Sequence, residues 1–207
     1  MKIGVIVAMD KEYDALTSLN DARLIVRKSG IGKVNAAVTA ARLIMEHHPD
    51  CIVSTGVAGG IDSVLKVMDV VVARNVVYHD YFIGSEGEGT ELYNPFPCSD
   101  NLIQKAQQLG NPHIVIGQIA SGDQFIQDKQ KLTEIKSSHP EALAVDMESG
   151  AIAHTCQLFG VPFISFRIIS DVVGVENHAA EYSNFWETLT TTSFGVIEDY
   201  LKCLLAE

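Results

Sequence analysis

Residues 33–55, "KVNAAVTAARLIMEHHPDCIVST", decide the reading of the fold. The segment 33–48 is rich in Ala and other aliphatic residues and halts at Pro49, the pattern of a helix with a proline stop. "CIVST" (51–55) follows as a short, β-branched apolar run, which reads as a buried strand. The same alternation extends in both directions. Strand-like runs stand at "KIGVIVA" (2–8), "DVVVARNVVY" (69–78), "HIVIGQIAS" (113–121), "ALAVDM" (142–147) and "PFISFRIIS" (162–170). Helical patterns cover 100–110 and 149–160, each ending in Gly, and 183–207, where three consecutive Thr weaken the signal. Strands alternating with helices predict an α/β protein with a largely parallel sheet covered on both faces.

Length and composition narrow the function. A chain of 207 residues, 47% hydrophobic and 20% charged, is read as one domain over 1–207. A net charge of −11 and a pI near 5.0 argue against nucleic acid and against anionic membranes, both of which need clustered Lys and Arg. The apolar start is followed at once by acids and has no cleavage site, and no stretch is long enough to span a membrane, so a cytoplasmic protein is expected. Cys51, Cys98, Cys156 and Cys203 are widely spaced, as reduced thiols would be. No Cys or His spacing suits a metal, and neither a metal nor a cofactor is expected.

In open α/β sheets ligands gather where strands end, so the residues after each apolar run carry the interest. There stand Asp10 and Glu12, then "TGVAGG" (55–60), "SGDQF" (121–125), "DMES" (146–149) and "RIISD" (167–171). The glycines of "TGVAGG", with Ala58 and Gly59, either let backbone approach a ligand or make a tight strand-to-helix turn. "SGIGK" (29–33) lacks the spacing of a phosphate loop, and GxGxxG is not completed. Glu12 either works chemically or favours a helix N-terminus. Arg167, inside an apolar strand, needs a carboxylate or a ligand oxygen. Asp146 and Glu148 share a face if their strand continues, and either could cap the helix that starts at Ser149.

Taken together, "MKIGVIVAMDKE", "SGIGKVNAA", "STGVAGG", "SGDQFI", "AVDMESGAIAH" and "FRIISD" resemble, in order and spacing, the methylthioadenosine/S-adenosylhomocysteine nucleosidases. These belong to the purine nucleoside phosphorylase superfamily, and the likeness covers nearly the whole chain. It implies a three-layer αβα sandwich with a mixed, largely parallel central sheet. It also implies roles: Glu12 activates the attacking water, Glu148 binds the ribose hydroxyls, and Asp171 protonates or hydrogen-bonds the purine N7. Ser170 would orient Asp171, Arg167 would lie near Glu12 and the water, Met147 would pack on the ribose, and Phe125 would stack on adenine while the Ile126 backbone reads its edge. Asp146 is left a supporting role. Cleaving an N-glycosidic bond builds positive charge on the sugar and negative charge on the base, so three separated carboxyl groups suit it.

The chain departs from the family pattern at Val57, where Ser is common. The hairpin after the first helix is read as shortened to 20–28, and the irregular stretch 79–99 as altered. Through Tyr81, Phe82, Tyr93 and Phe96 that stretch would meet the 5′ substituent of a neighbouring subunit, which implies a homodimer. A second irregular stretch covers 172–183. A carboxylate at position 12 suits water rather than phosphate. The expected activity is therefore hydrolysis of 5′-substituted adenosines, with S-adenosylhomocysteine, methylthioadenosine and 5′-deoxyadenosine as substrates. The alternatives are a sister nucleosidase such as a futalosine hydrolase, a phosphorylase, and a non-catalytic nucleoside-binding protein.

Overall fold

Each of the six apolar runs forms a strand, and two strands appear that sequence pattern did not single out. The structure is a computed structural model and describes residues 1–16, 19–81, 95–172, 185 and 191–206. In chain order the elements are β1 (Ile3–Val7), α1 (Asp10–Leu16), β2 (Leu24–Lys28), α2 (Lys33–His47), β3 (Cys51–Gly60) and β4 (Val70–Tyr78). Then come β5 (Phe96–Pro97), α3 (Asp100–Gln108), β6 (Ile114–Ser121), α4 (Lys129–Ser138), β7 (Ala142–Asp146), α5 (Ser149–Phe159), β8 (Phe163–Val172) and α6 (Thr191–Leu205).

The helix stops follow local chemistry. His48 takes a left-handed conformation after α2 and donates its N–H to the Ile44 carbonyl before Pro49 redirects the chain. Gly160 ends α5 at φ 67, a conformation glycine adopts without strain. Asp128 caps α4 by accepting from Gln130 N–H. The helix expected over 183–207 is described from Thr191 onward, and its earlier part lies outside the described residues apart from Phe185.

The eight strands form one mixed sheet with helices on both sides. β1 pairs in parallel with β2 and β3, β3 with β8, β4 with β6, and β6 with β7; β3–β7, β4–β5 and β4–β8 are antiparallel. Following these pairings from β3 through β8, β4, β6 and β7 returns to β3, so five strands close into a ring from which β1 and β2 extend. Every residue of β1 is buried, and β8 is buried from Phe163 to Asp171. The hairpin expected over 20–28 is instead a turn and a single strand, β2, parallel to β1. Among the described residues no helix is long and apolar enough to cross a membrane.

The "TGVAGG" segment is corrected as well. It is not a strand-to-helix turn, because β3 runs through it to Gly60. On one edge β3 pairs with β8 along most of its length. On the other its pairing with β1 ends at Ser54 and pairing with β7 begins at Gly59. The sheet is split between these points, leaving a stretch of β3 backbone with no strand beside it on that edge.

Candidate active site

Glu12 fills the split. It stands in the first turn of α1, is 1% exposed, and is held by backbone N–H groups from the β1–α1 connection and from β3. Its Oε2 accepts from Ala8 and Met9, both at 2.9 Å, and its Oε1 from Val57 at 3.0 Å. A Cβ on Gly56 would lie 2.6 Å from Oε1, so the glycine is what leaves the carboxylate room. Burial pushes the Glu12 carboxyl above its ordinary value, against the opposing pull of the Met9 N–H, the Arg167 charge and the Val57 and Ala8 N–H groups.

A cavity of about 110 Å³ opens beside it. Four acidic residues line it, Glu12, Asp146, Glu148 and Asp171, with Val57, Ala58 and Gly59 from β3, and Phe125, Ile126, Met147 and Ser170. Glu148 follows the end of β7, is 8% exposed, and accepts at Oε1 from Gly32 N–H at 2.9 Å. Burial, then the neighbouring Asp146 charge, push its carboxyl up to about 7, against Arg167 and the Gly32 N–H. Phe125 is 57% exposed and forms part of the rim, whereas Ile126 is buried.

Ser170 and Asp171 are consecutive in a strand and would ordinarily face opposite sides. Both line the cavity. The register between β3 and β8 explains it: Ala58 pairs with Ile169 but Gly59 with Asp171, so Ser170 is the extra residue of a β-bulge. The bulge lets Ser170 Oγ donate to Asp171 Oδ1 at 2.7 Å, with the Ala58 carbonyl 3.2 Å away.

Arg167 was expected beside Glu12 and the water. The structure places it behind the cavity, 2% exposed and not among the lining residues. Nε donates to Asp146 Oδ2 at 2.6 Å, one terminal nitrogen to Ser54 Oγ at 3.0 Å and the other to the Phe166 carbonyl at 3.1 Å. Its bearing on Glu12 is one of charge rather than contact. Asp146 also accepts from Ser149 N–H at 3.0 Å, so it caps α5 and neutralises Arg167 at once. Among the described residues no group of three or more His, Cys, Asp and Glu is arranged to hold a metal ion.

Sequence reasoning passed over Ala8, Met9, Ile31, Gln124 and Val145, which also line the cavity. Ala8 and Met9 adjoin Glu12 and Gln124 adjoins Phe125, so neighbourhood was their only signal. Ile31 had none beyond lying in the "SGIGK" turn. Of the aromatics assigned to the 5′ side, Phe96 is buried in β5, stacked on His154 with ring centroids 4.8 Å apart. Tyr81 is part exposed, while Phe82, Tyr93 and nearly all of 172–183 lie outside the described residues.

A mixed sheet closed on itself beside a pocket lined by four acidic residues defines a class, and the family description "Phosphorylase superfamily" matches residues 16–202. A 5′-methylthioadenosine/S-adenosylhomocysteine nucleosidase of Geobacillus sp. (strain WCH70) is 35% identical, with 99% of each chain covered. The crystal structure of the Neisseria meningitidis nucleosidase of the same name, in complex with methylthio-immucillin-A, superposes with a TM-score of 0.87 at 30% identity, covering 98% of this chain and 99% of that one. A futalosine hydrolase of Helicobacter pylori also superposes, with a TM-score of 0.83 at 28% identity over 98% and 97% of the two chains. The chain belongs to the 5′-methylthioadenosine/S-adenosylhomocysteine nucleosidase family.

Proposed function

We propose that the protein hydrolyses the N-glycosidic bond of 5′-substituted adenosines, methylthioadenosine and S-adenosylhomocysteine among them, to adenine and the 5′-substituted ribose. The observation that carries this reading is the convergence of three buried carboxyl groups, from the start of α1, the end of β7 and the end of β8, on one cavity with apolar walls. Glu12 takes a proton from water, and its raised pKa makes it a stronger base than an exposed carboxylate. Glu148 accepts from the sugar hydroxyls and gains strength as the ring becomes cationic. Asp171, held by Ser170, meets the leaving purine. Ala58 and Gly59 bring strand backbone to the sugar, Met147 packs on it, and Phe125 and Ile126 receive the base. Arg167 acts from behind, where its charge favours the ionised forms of Glu12 and Glu148.

The resemblance to a futalosine hydrolase supports a second reading, a sister nucleosidase with a different 5′ group or base. Incubation with methylthioadenosine, with and without phosphate, and mass spectrometry of the products tests both. Adenine and methylthioribose in phosphate-free buffer support the reading; a sugar 1-phosphate formed only with phosphate would replace it with phosphorolysis, and no product would favour the sister nucleosides.

The enzyme is also proposed to be one domain that acts as a homodimer in the cytoplasm, where its four free thiols stay reduced. Support for the dimer comes from an apolar stripe on α2: Val34, Val38 and Met45 are 75%, 54% and 55% exposed. α2 packs along α5, whose Leu158 and Phe159 are exposed too. Ile31, 54% exposed, leads that stripe to the cavity, so a second copy seated there would border the substrate.

A further inference from the structure

Glu148 depends on the turn before α2 for its position. The Gly32 N–H that holds its Oε1 belongs to a residue at φ 96, followed by a helix whose N-cap has no side-chain hydrogen bond and whose first turn has no acid. That helix opens on Lys33, a cation where the helix dipole disfavours one. Negative charge arrives from two other segments. Asp123 Oδ1 accepts the Lys33 N–H at 2.8 Å. Asp80 accepts from Lys33 Nζ at both oxygens, each 2.9 Å, and Asp80 Oδ2 also accepts the Asp123 N–H at 2.8 Å. Lys33 Nζ further sits 5.3 Å from the centre of the Tyr78 ring. Burial alone would raise the Asp80 carboxyl, but the Lys33 and Asp123 hydrogen bonds outweigh it and hold the group below its ordinary value, ionised. None of the three residues lines the cavity.

We propose that Lys33, Asp80 and Asp123 form a latch that fixes the Gly30–Lys33 turn so that Gly32 presents its N–H to Glu148, making the three positioning residues for recognition of the sugar. The inference rests on Glu148 being the ribose ligand. A carboxylate that must meet two hydroxyls tolerates little rotation, and one backbone hydrogen bond from a glycine free to adopt many conformations would not fix it unless the glycine were itself fixed.

Steady-state kinetics with methylthioadenosine and its 3′-deoxy analogue, on the wild type, Asp123→Ala, Asp123→Asn, Lys33→Met and Glu148→Gln, test the latch. The Asp123 side chain is 46% exposed, so its loss opens no cavity. In Asp123→Ala and Lys33→Met, kcat/KM for methylthioadenosine falls roughly tenfold or more, the scale of a charge-assisted hydrogen bond, while the 3′-deoxy substrate, which keeps only one of the two hydroxyls, loses distinctly less. Asp123→Asn keeps an acceptor for Lys33 N–H and retains most of the preference for the hydroxylated sugar. Equal loss on both substrates, or no loss in Asp123→Ala, overturns the latch. If the wild type and Glu148→Gln treat the two substrates alike, it is the ribose role of Glu148 that fails, and the latch falls with it.

Discussion

A Cβ placed on Gly56 would meet Glu12 Oε1 at 2.6 Å and its carboxyl carbon at 3.0 Å, with the strand backbone unable to give way. Gly56→Ala therefore displaces the carboxylate and lowers kcat by about 10²-fold or more, close to the loss in Glu12→Gln, while circular dichroism stays that of the wild type. Asp171→Asn loses turnover on the same scale. Glu148 makes a separate forecast, because burial pushes its carboxyl from the ordinary 4.5 up to about 7. On the proposed ribose role only the ionised form accepts from both sugar hydroxyls, so kcat/KM is expected to rise with pH up to about 7 and then level. Between these two values the folded protein binds more protons than the unfolded chain, so ionising Glu148 costs stability as pH rises. Glu148→Gln then raises the melting temperature at pH 8 by a few degrees and does little at pH 4; an equal shift at both would remove the buried charge as its cause.

At the level of elements, the Arg167–Asp146 pair ties β8 to β7 and to the N-terminus of α5. Both side chains are almost wholly buried, at 2% and 0% exposure. Arg167→Met leaves Asp146 charged and unpaired and costs about 3–5 kcal/mol in denaturant unfolding; adding Asp146→Asn recovers a large part of it. An equally damaging double variant would show that packing, not charge, dominates. This pair was half legible in the sequence, since an arginine in an apolar strand demands a partner, but the partner was a matter of fold. The Val- and Ile-rich strands and the Gly- or Pro-stopped helices were legible because period and punctuation are local. β2, five residues ending in Arg27 and Lys28, and β5, two residues long, carry too little pattern to be read. The bulge at Ser170 could not be foreseen, because a bulge is a mismatch between two registers and only one strand was in view.

For the molecule as a whole, the candidate site was readable as a set of acids at strand ends, and their convergence was not. It depends on a ring of five strands whose closing pairs, β3–β7 and β4–β8, join residues far apart in sequence. The proposed dimer belongs to this scale too. Val34→Glu combined with Val38→Glu places two charges on exposed positions, which leaves folding intact but opposes burial of the stripe. Light scattering should show the mass halved and methylthioadenosine turnover reduced; a wild type that is already monomeric would remove the proposal.

The split in β3 has one more consequence. The Val57 amide lies where a strand neighbour is missing, and its hydrogen-bond acceptor is the Glu12 carboxylate itself. The protonation state of Glu12 is thereby written onto a backbone nucleus. In a ¹⁵N-labelled sample the Val57 cross-peak moves as Glu12 titrates, and in Glu12→Gln it stops moving. The free enzyme thus carries its own spectroscopic pH meter, readable with no substrate present.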